Sequence, residues 1–67
     1  MKDMEIGKRI QYTLAKKGIK AYKMAKEVGI SQGYIYDILN GKNKNPGIYT
    51  VKKIADYLGV TVDELLK

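Results

Sequence analysis

The 67-residue sequence contains neither cysteine nor histidine, and both absences restrict its possible functions. Without cysteine a disulfide framework is excluded, and without either residue the usual zinc-finger ligand sets cannot form. The commonest nucleophile and the commonest general base of enzymes are missing as well. The sequence also offers no paired carboxylates that would flank a cleft. We therefore expect no catalytic activity, no metal and no cofactor.

Long apolar runs are also absent. No segment approaches the roughly 20 consecutive apolar residues of a membrane span, and the N-terminus, MKDMEIGKR, lacks the apolar core of a signal peptide. A chain of this length is near the lower limit at which one hydrophobic core is sufficient. We expect a single cytoplasmic domain over residues 1–67, with no membrane association and no bound small molecule.

Acidic residues are scarce in the N-terminal part of the chain. The formal net charge is +6, and residues 6–26 contain seven basic residues and no acid. Such clustering indicates a polyanionic partner, although an anionic membrane surface would also satisfy it. Lys8, Lys16 and Lys17 are explained equally well by a solvated helix face, and we assign them to that face.

The stretch AYKMAKEVGISQGYIYDILN, residues 21–40, describes two short helices that meet at a sharp corner. Its apolar residues have helical spacing on both sides of a central Gly29-Ile30-Ser31. Glycine suits a left-handed residue that ends one helix, and serine suits the N-cap of the next. Each helix is too short to be stable alone. We expect them to pack on each other as a helix-turn-helix, with Ala25 at their closest approach.

A first helix is predicted before this pair. It should begin near Asp3, which can cap it, with Glu5 in the first turn, where the helix dipole favours an anion. Gly18 is the expected left-handed residue at its end, and Ile19 would then turn the connection onto the core.

Two further helices are predicted after the pair. Pro46 and Gly47 would start helix 4, and Gly59 would end it. The sequence Thr61-Val62-Asp63-Glu64 is a capping box that opens a short fifth helix. Outside the central pair, the expected core residues are Ile6, Ile10, Leu14, Ile48, Val51, Ile54, Ala55, Leu58 and one of Leu65 and Leu66. The sequence thus predicts an all-α fold of five helices.

This pattern resembles the phage repressor and Cro family, which is also called lambda-repressor-like or Xre-type. Ala25, Gly29 and the apolar residues at positions 24, 28, 30, 35 and 38 stand where that family has them. NGKNKNP (40–46) is similar to its loop after the recognition helix, and VKKIADYLGVTVDELLK to its last two helices. The resemblance covers nearly the whole chain. It implies a five-helix lambda-repressor-like domain that binds double-stranded DNA and regulates transcription, as a repressor of phage or mobile-element type.

The resemblance also implies which residues read DNA. In a helix-turn-helix, the second helix enters the major groove with its N-terminal residues at the base edges. Helix 3 should span residues 32–40, and its candidate readers by motif position are Gln32, Gly33, Tyr34, Tyr36 and Asp37. Glutamine can bond bidentately to adenine, and aspartate can accept from cytosine. The alternatives are an ordinary exposed first turn at Gln32 and sugar-phosphate contacts at the two tyrosines.

Phosphate contacts are implied at two places. The family usually has Ser, Thr or Asn and then Gln where this chain has Lys20-Ala21, and alanine cannot hold a phosphate. Lys20, Tyr22 or Lys23 would replace that glutamine near the N-terminus of helix 2, where backbone N–H groups also favour phosphate. Alternatively, Tyr22 is a half-buried ring against helix 1. The second place is the loop after helix 3, with candidates Asn40, Lys42, Lys44 and Asn45, unless that loop is only a solvated turn.

Two further expectations concern the core and assembly. Family members often join helix 1 to helix 3 by a buried Arg–Glu pair, and this chain has Leu14 and Leu39 at the matching positions. We expect those two side chains to be in contact. One recognition helix reads only a few base pairs, so we expect a homodimer that need not exist off DNA. Tyr57, Val60 and Val62 are candidates for its surface.

A rival interpretation is a protein-interaction module, such as an antitoxin or an adaptor with a helix-turn-helix fold. It would need an apolar patch outside the core. The residues able to supply that patch are Tyr22, Tyr34, Tyr36, Tyr49 and Tyr57. An enriched palindrome in a selection from random duplex DNA would separate the two interpretations.

Overall fold

Five α-helices follow one another in the part of the chain that the structure describes, residues 5–66 of a computed structural model. They are α1 (Ile6–Lys17), α2 (Ala21–Val28), α3 (Gln32–Leu39), α4 (Ile48–Leu58) and α5 (Val62–Leu66). The predicted all-α class with five helices is confirmed. Within residues 5–66, no helix is both long enough and apolar enough to cross a membrane.

The start of α1 differs from the prediction. The helix begins at Ile6, and Glu5 is its extended N-cap (φ −66°, ψ 151°), so Glu5 does not lie in the first turn. Asp3, the predicted cap, lies outside the described residues. The Glu5 carboxylate does not cap the helix, and it accepts a hydrogen bond from the ammonium of Lys44, 2.9 Å away.

Left-handed glycines end α1, α2 and α4, as predicted. Gly18, Gly29 and Gly59 have φ angles of 70°, 75° and 73°. The residue after each glycine donates its N–H to a carbonyl in the last turn of the helix: Ile19 to Leu14, Ile30 to Ala25 and Val60 to Ala55. This hydrogen bond is that of a Schellman motif, which needs a left-handed residue at the glycine position. Each glycine therefore turns the chain sharply back onto the core.

The apolar faces of the helices meet in one core. Its buried members are Ile6, Ile10, Leu14, Met24, Ala25, Ile35, Ile38, Leu39, Val51, Ile54, Ala55, Leu58 and Leu65. Leu14 and Leu39 belong to the same cluster, and their direct contact stays a prediction. The predicted burial of Ile48 is wrong, because its side chain is 66% exposed. Ile48 is the first residue of α4, and the buried stripe begins one turn later, at Val51.

A leucine of α5 completes the core. Leu65 is buried and Leu66 is exposed, which decides between the two predicted candidates. The capping box is confirmed, since the Thr61 hydroxyl accepts from the Glu64 N–H and the Glu64 carboxylate accepts from the Thr61 N–H, both at 3.1 Å.

Two contacts hold α3 against α1. A Cβ atom at Gly7 would lie 3.1 Å from the Cα of Leu39 and even closer to the carbonyl oxygen of Ile38, so only glycine allows this approach. One turn further along α1, the Gln11 side-chain amide donates to the Leu39 carbonyl at 2.7 Å. Because α3 also packs on α2, its orientation is fixed from two sides.

Candidate nucleic-acid interface

The corner between α2 and α3 determines where α3 begins. After the left-handed Gly29, Ile30 is half-buried and packs against the core. Ser31 is the N-cap of α3, and its hydroxyl accepts a hydrogen bond from the Tyr34 N–H at 3.2 Å. This cap was predicted from the sequence. It satisfies one of the free amides of the first turn, so that α3 begins in a defined conformation at Gln32.

One side of α3 is open to solvent. Gln32, Gly33 and Tyr36 are exposed, and Asp37 is half-buried. A Cβ atom at Gly33 would meet nothing within 4 Å, so the backbone is open there to a large group. Asp37 makes no ion pair with any residue among 5–66. This side of α3 therefore presents an amide, open backbone, a phenol and an available carboxylate.

Tyr34 departs from this exposed set. Its ring is half-buried against the core, and its hydroxyl oxygen accepts a hydrogen bond from the Gly47 N–H at 3.5 Å. This backbone hydrogen bond, with smaller contributions from the side chains of Thr50 and Asn43, lowers the pKa of Tyr34 from its usual value. Tyr34 thus connects α3 to the start of α4. No local pattern indicates this contact, because Tyr34 and Gly47 are 13 residues apart in the chain.

The loop between α3 and α4 is held by its own backbone. Asn40 follows Leu39 as the C-cap of α3, one residue after the last helical residue, and Gly41 has a left-handed φ of 82°. The Asn43 N–H donates to the Asp37 carbonyl at 2.9 Å, and the Asn45 N–H donates to the Asn43 side chain at 3.1 Å. These bonds give the loop a defined shape. Four predicted phosphate contacts of this region are exposed: Asn40, Lys42, Lys44 and Asn45.

One of the loop lysines already forms an ion pair with a carboxylate of the same chain. The Lys44 ammonium lies 2.9 Å from the Glu5 carboxylate, which crosses from the N-cap of α1 to the loop. Both side chains remain largely exposed, at 67% and 43%. Lys42, in contrast, makes no ion pair within the described residues. The two loop lysines are therefore not equivalent as sites for a phosphate.

The N-terminus of α2 carries the other predicted phosphate contacts. Lys20 is its extended N-cap, and its side chain is exposed. Tyr22 is 55% exposed, so the alternative of a half-buried ring against α1 is wrong. Lys23 is exposed and lies 3.8 Å from Glu27 one turn later. An exposed pair of this kind is weak, about 0.3–0.5 kcal/mol, and a stronger anionic partner would displace it.

The arrangement suits binding of a polyanion. In the chain, cations at the start of α2 and in the loop flank the exposed side of α3, and α2 packs directly on α3. Cations can neutralise phosphates, while the groups on α3 can form directed hydrogen bonds. Among residues 5–66, no group of three or more Asp and Glu side chains is placed to hold a metal ion.

Known proteins are similar to this chain in sequence. Residues 9–67 match the family described as Cro/C1-type HTH DNA-binding domain. An uncharacterized HTH-type transcriptional regulator of Coxiella burnetii is 38% identical over 48 residues, which are 72% of this chain and 22% of that protein. The chain therefore spans about a fifth of the length of this relative.

Solved structures of the regulator SinR are similar in fold. A crystal structure of the master regulator for biofilm formation SinR in complex with DNA has a TM-score of 0.88 and 31% identity, over 92% of this chain and 98% of that one. The N-terminal DNA binding domain of SinR from Bacillus subtilis has the same score and identity, with 90% of it covered. A complex of SinR with SinI matches as well, with 60% of the matched chain covered.

Proposed function

The chain belongs to the family of Cro/C1-type helix-turn-helix DNA-binding domains, and we propose that it binds duplex DNA sequence-specifically as the DNA-reading domain of a transcriptional repressor. The observation that carries the proposal is the exposed first turn of α3, where Gln32 and Gly33 directly follow the capped corner. In a helix-turn-helix this turn meets the base edges of the major groove. The similar SinR structure is a complex with DNA. This function agrees with the cytoplasmic location expected above.

We assign base reading to the exposed side of α3. The Gln32 amide can donate to and accept from one adenine edge, and the Asp37 carboxylate can accept from cytosine. Tyr36 is exposed beside them, and open backbone at Gly33 leaves room for a thymine methyl. Tyr34 instead has a positioning role in this proposal, because its hydroxyl is bound to the Gly47 N–H at the far end of the loop.

Phosphate binding is assigned to the two flanking regions. Lys42 is the strongest candidate, because it is exposed and makes no ion pair within the described residues. At Lys44 a phosphate competes with the Glu5 carboxylate, which already offsets the charge of this lysine. The further candidates are Lys20, Tyr22 and Lys23 at the start of α2, and Asn40 and Asn45 beside the loop lysines.

Binding is proposed to occur as a two-fold dimer on DNA. Two recognition helices would read half-sites about 34 Å apart. Tyr57, Val60 and Val62 are half-buried on the α4–α5 side and remain the candidates for the dimer surface. Selection from random duplex DNA should enrich a palindrome with this spacing, and that palindrome supplies the specific site for the titrations below.

Gln32→Ala and Lys42→Ala are expected to affect DNA binding differently. Removing the Gln32 amide should weaken the selected site by about 1–3 kcal/mol and leave random duplex nearly unchanged, because the amide reads a base edge. Removing Lys42 should weaken both duplexes about equally and lower the salt slope by about one unit, because a lysine on a phosphate releases one counterion. The measurement is a titration of both duplexes by each variant over a salt series.

Lys53→Ala serves as the control for lost charge, since Lys53 is exposed on α4 outside the proposed contacts. It should change the salt slope less than Lys42→Ala does. If Gln32→Ala weakens both duplexes in the same ratio as Lys42→Ala, α3 does not read bases, and the protein-interaction interpretation is favoured.

Glu5→Gln is expected to strengthen DNA binding. The substitution removes the carboxylate that holds Lys44 and so frees this lysine for a phosphate. An exposed ion pair contributes about 0.2–1 kcal/mol, so the affinity should rise about 1.4- to 5-fold at low salt. The salt slope should also increase, because one more phosphate can be neutralised.

Two further variants test whether this effect acts through Lys44. Asp56→Asn removes a comparable carboxylate, 3.4 Å from Lys52 on α4, and should change DNA affinity little. In a Lys44→Ala background, Glu5→Gln should lose most of its effect, which a double-mutant cycle measures. An unchanged gain in that background would mean that Glu5 acts only through net charge.

A further inference from the structure

A groove between α1 and α5 lies apart from every residue assigned to DNA. Its volume is about 780 Å³, and its lining includes Arg9, Tyr12, Thr13, Lys16, Val60 and Leu65. Lys17 and Glu64 also border it. We refer to it as the α1–α5 groove. Its size lies within the range of about 300–1,000 Å³ that is common for binding sites.

The α1–α5 groove is positively charged. Arg9, Lys16 and Lys17 border it, and none of the three makes an ion pair within residues 5–66. The one bordering acid, Glu64, already uses a carboxylate oxygen to accept from the Thr61 N–H in the capping box. Among the described residues, therefore, three cations and one carboxylate border this groove.

One nitrogen of Arg9, Nε, lacks a hydrogen-bond acceptor within the described residues. Its side chain is half-buried, and its Nε atom is shielded from solvent without a partner among the described residues. A buried donor without an acceptor is unfavourable. A carboxylate that binds a guanidinium side-on accepts two parallel N–H bonds. With a small rotation of the Arg9 side chain, a carboxylate in the groove would supply the missing acceptor.

Apolar surface lies between these cations. Tyr12 is 63% exposed, and the Lys16 ammonium lies 5.7 Å from the centre of its ring. Val60 is half-buried and Leu65 is buried in the same lining. An exposed aromatic ring beside aliphatic side chains is a surface that anchors one apolar side chain of a partner. A partner with charged groups alone would not bury this apolar surface.

The spacing of the charges indicates the kind of partner. Arg9 and Lys16 are seven residues apart on α1, which corresponds to about 10 Å at 1.5 Å per residue. This backbone spacing favours two separate anions over one small anion, and a peptide with acids on either side of an apolar residue supplies them. We propose that the α1–α5 groove is a docking site for an acidic segment of a partner protein that carries an apolar anchoring side chain. The groove shares no residue with the proposed DNA contacts, although Val60 in its lining is also a candidate for the dimer surface.

The test is a titration of the isotope-labelled protein with a synthetic peptide, followed by amide chemical shifts. The probe is the blocked peptide Glu-Glu-Leu-Leu-Asp-Glu-Leu-Glu. Amide shifts are expected in α1 and α5 and not on the exposed side of α3. Two control peptides, one with glutamine in place of every acid and one with serine in place of every leucine, should each bind at least about fivefold more weakly.

Protein variants locate the binding site. Lys16→Gln should weaken the peptide about two- to fivefold, as for one exposed ion pair. Tyr12→Ala should weaken it about tenfold, as for an aromatic anchor. The matched controls are Lys53→Gln and Tyr49→Ala on α4, where Tyr49 is 83% exposed, and these should leave the affinity unchanged. Circular dichroism verifies that each variant is folded.

Three results would overturn the proposal. If the protein bound the serine control peptide as tightly as the probe peptide, charge alone would account for binding of the probe. Equal effects of Lys16→Gln and Lys53→Gln would mean that the groove is not the site. If Lys16→Gln weakened duplex DNA as much as Lys42→Ala, the groove would be part of the DNA interface. None of the peptide readouts depends on DNA binding, so they remain decisive if the proposed function fails.

Discussion

Leu39→Glu is expected to lower the free energy of unfolding by about 3–5 kcal/mol. Leu39 is 8% exposed at the end of α3, in the same cluster as Leu14 of α1, which is 5% exposed. Among the described residues no polar or charged side chain is buried, so a carboxylate here would leave water without a cation to pair with. A loss of this size is comparable to the total stability of so small a domain. The variant should therefore be largely unfolded at 25 °C by circular dichroism.

Two companion variants separate charge from shape. Leu39→Met conserves volume and polarity and should lose less than about 1.5 kcal/mol. The double variant with Leu14→Arg and Leu39→Glu restores the pair that the resembling family often has at these positions. If Leu14 and Leu39 are in contact, it should recover a substantial part of the stability lost in Leu39→Glu. Additive losses in the double variant would contradict the contact.

The elements that the sequence predicted correctly are those determined by residues close together in the chain. The end of α2 at Val28 follows from the left-handed Gly29 that comes directly after it. The Ser31 cap acts on Tyr34, three residues on, and the capping box joins Thr61 to Glu64 over the same distance. Such short-range hydrogen bonds form in almost any tertiary context, which makes their sequence signals reliable.

The errors and omissions involve residues far apart in the chain. Glu5 was expected in the first turn of α1, but Lys44, 39 residues later, binds its carboxylate. Tyr34 is placed among the base readers by motif position, and the sequence does not indicate the hydrogen bond that its hydroxyl accepts from the Gly47 N–H. Ile48 continues the apolar spacing of α4, yet it precedes the part of the helix that meets the core. Spacing gives the face of a helix, and only tertiary packing decides which turns of that face are covered.

For the candidate site, the sequence predicted which residues of α3 are exposed but not which base each one reads. Motif position placed Gln32, Gly33 and Tyr36 on α3, and all three are exposed in the folded domain. The helical period places these residues on the face opposite the buried ones, so their exposure can be predicted once the buried residues are known. Which base each residue reads depends on how the domain docks on DNA, and base readout by Gln32 and Asp37 therefore stays a prediction.

Gly7→Ala is expected to destabilise the domain by about 2–3 kcal/mol, although alanine is the better helix former. Intrinsic propensity alone would predict a gain, of at most about 0.5–1 kcal/mol, because Gly7 is the second residue of α1. The added methyl would instead collide with the Ile38 carbonyl and lie 3.1 Å from the Leu39 Cα. Backbone atoms cannot move aside by a change of rotamer, so α1 would have to separate from α3. The nearby hydrogen bond from Gln11 to the Leu39 carbonyl would be strained as well.

Gly33→Ala is the matched control, because it makes the same chemical change in a helix where the new methyl meets nothing within 4 Å. It should leave stability unchanged or raise it by up to about 1 kcal/mol. Urea denaturation of both variants measures the change in the free energy of unfolding, which should be a loss for Gly7→Ala and no loss for Gly33→Ala. A Gly7→Ala variant as stable as the parent would contradict the close approach of α1 and α3. Gly33→Ala should in turn weaken the selected DNA site without unfolding the domain, since a methyl there would narrow the space that α3 leaves for a base.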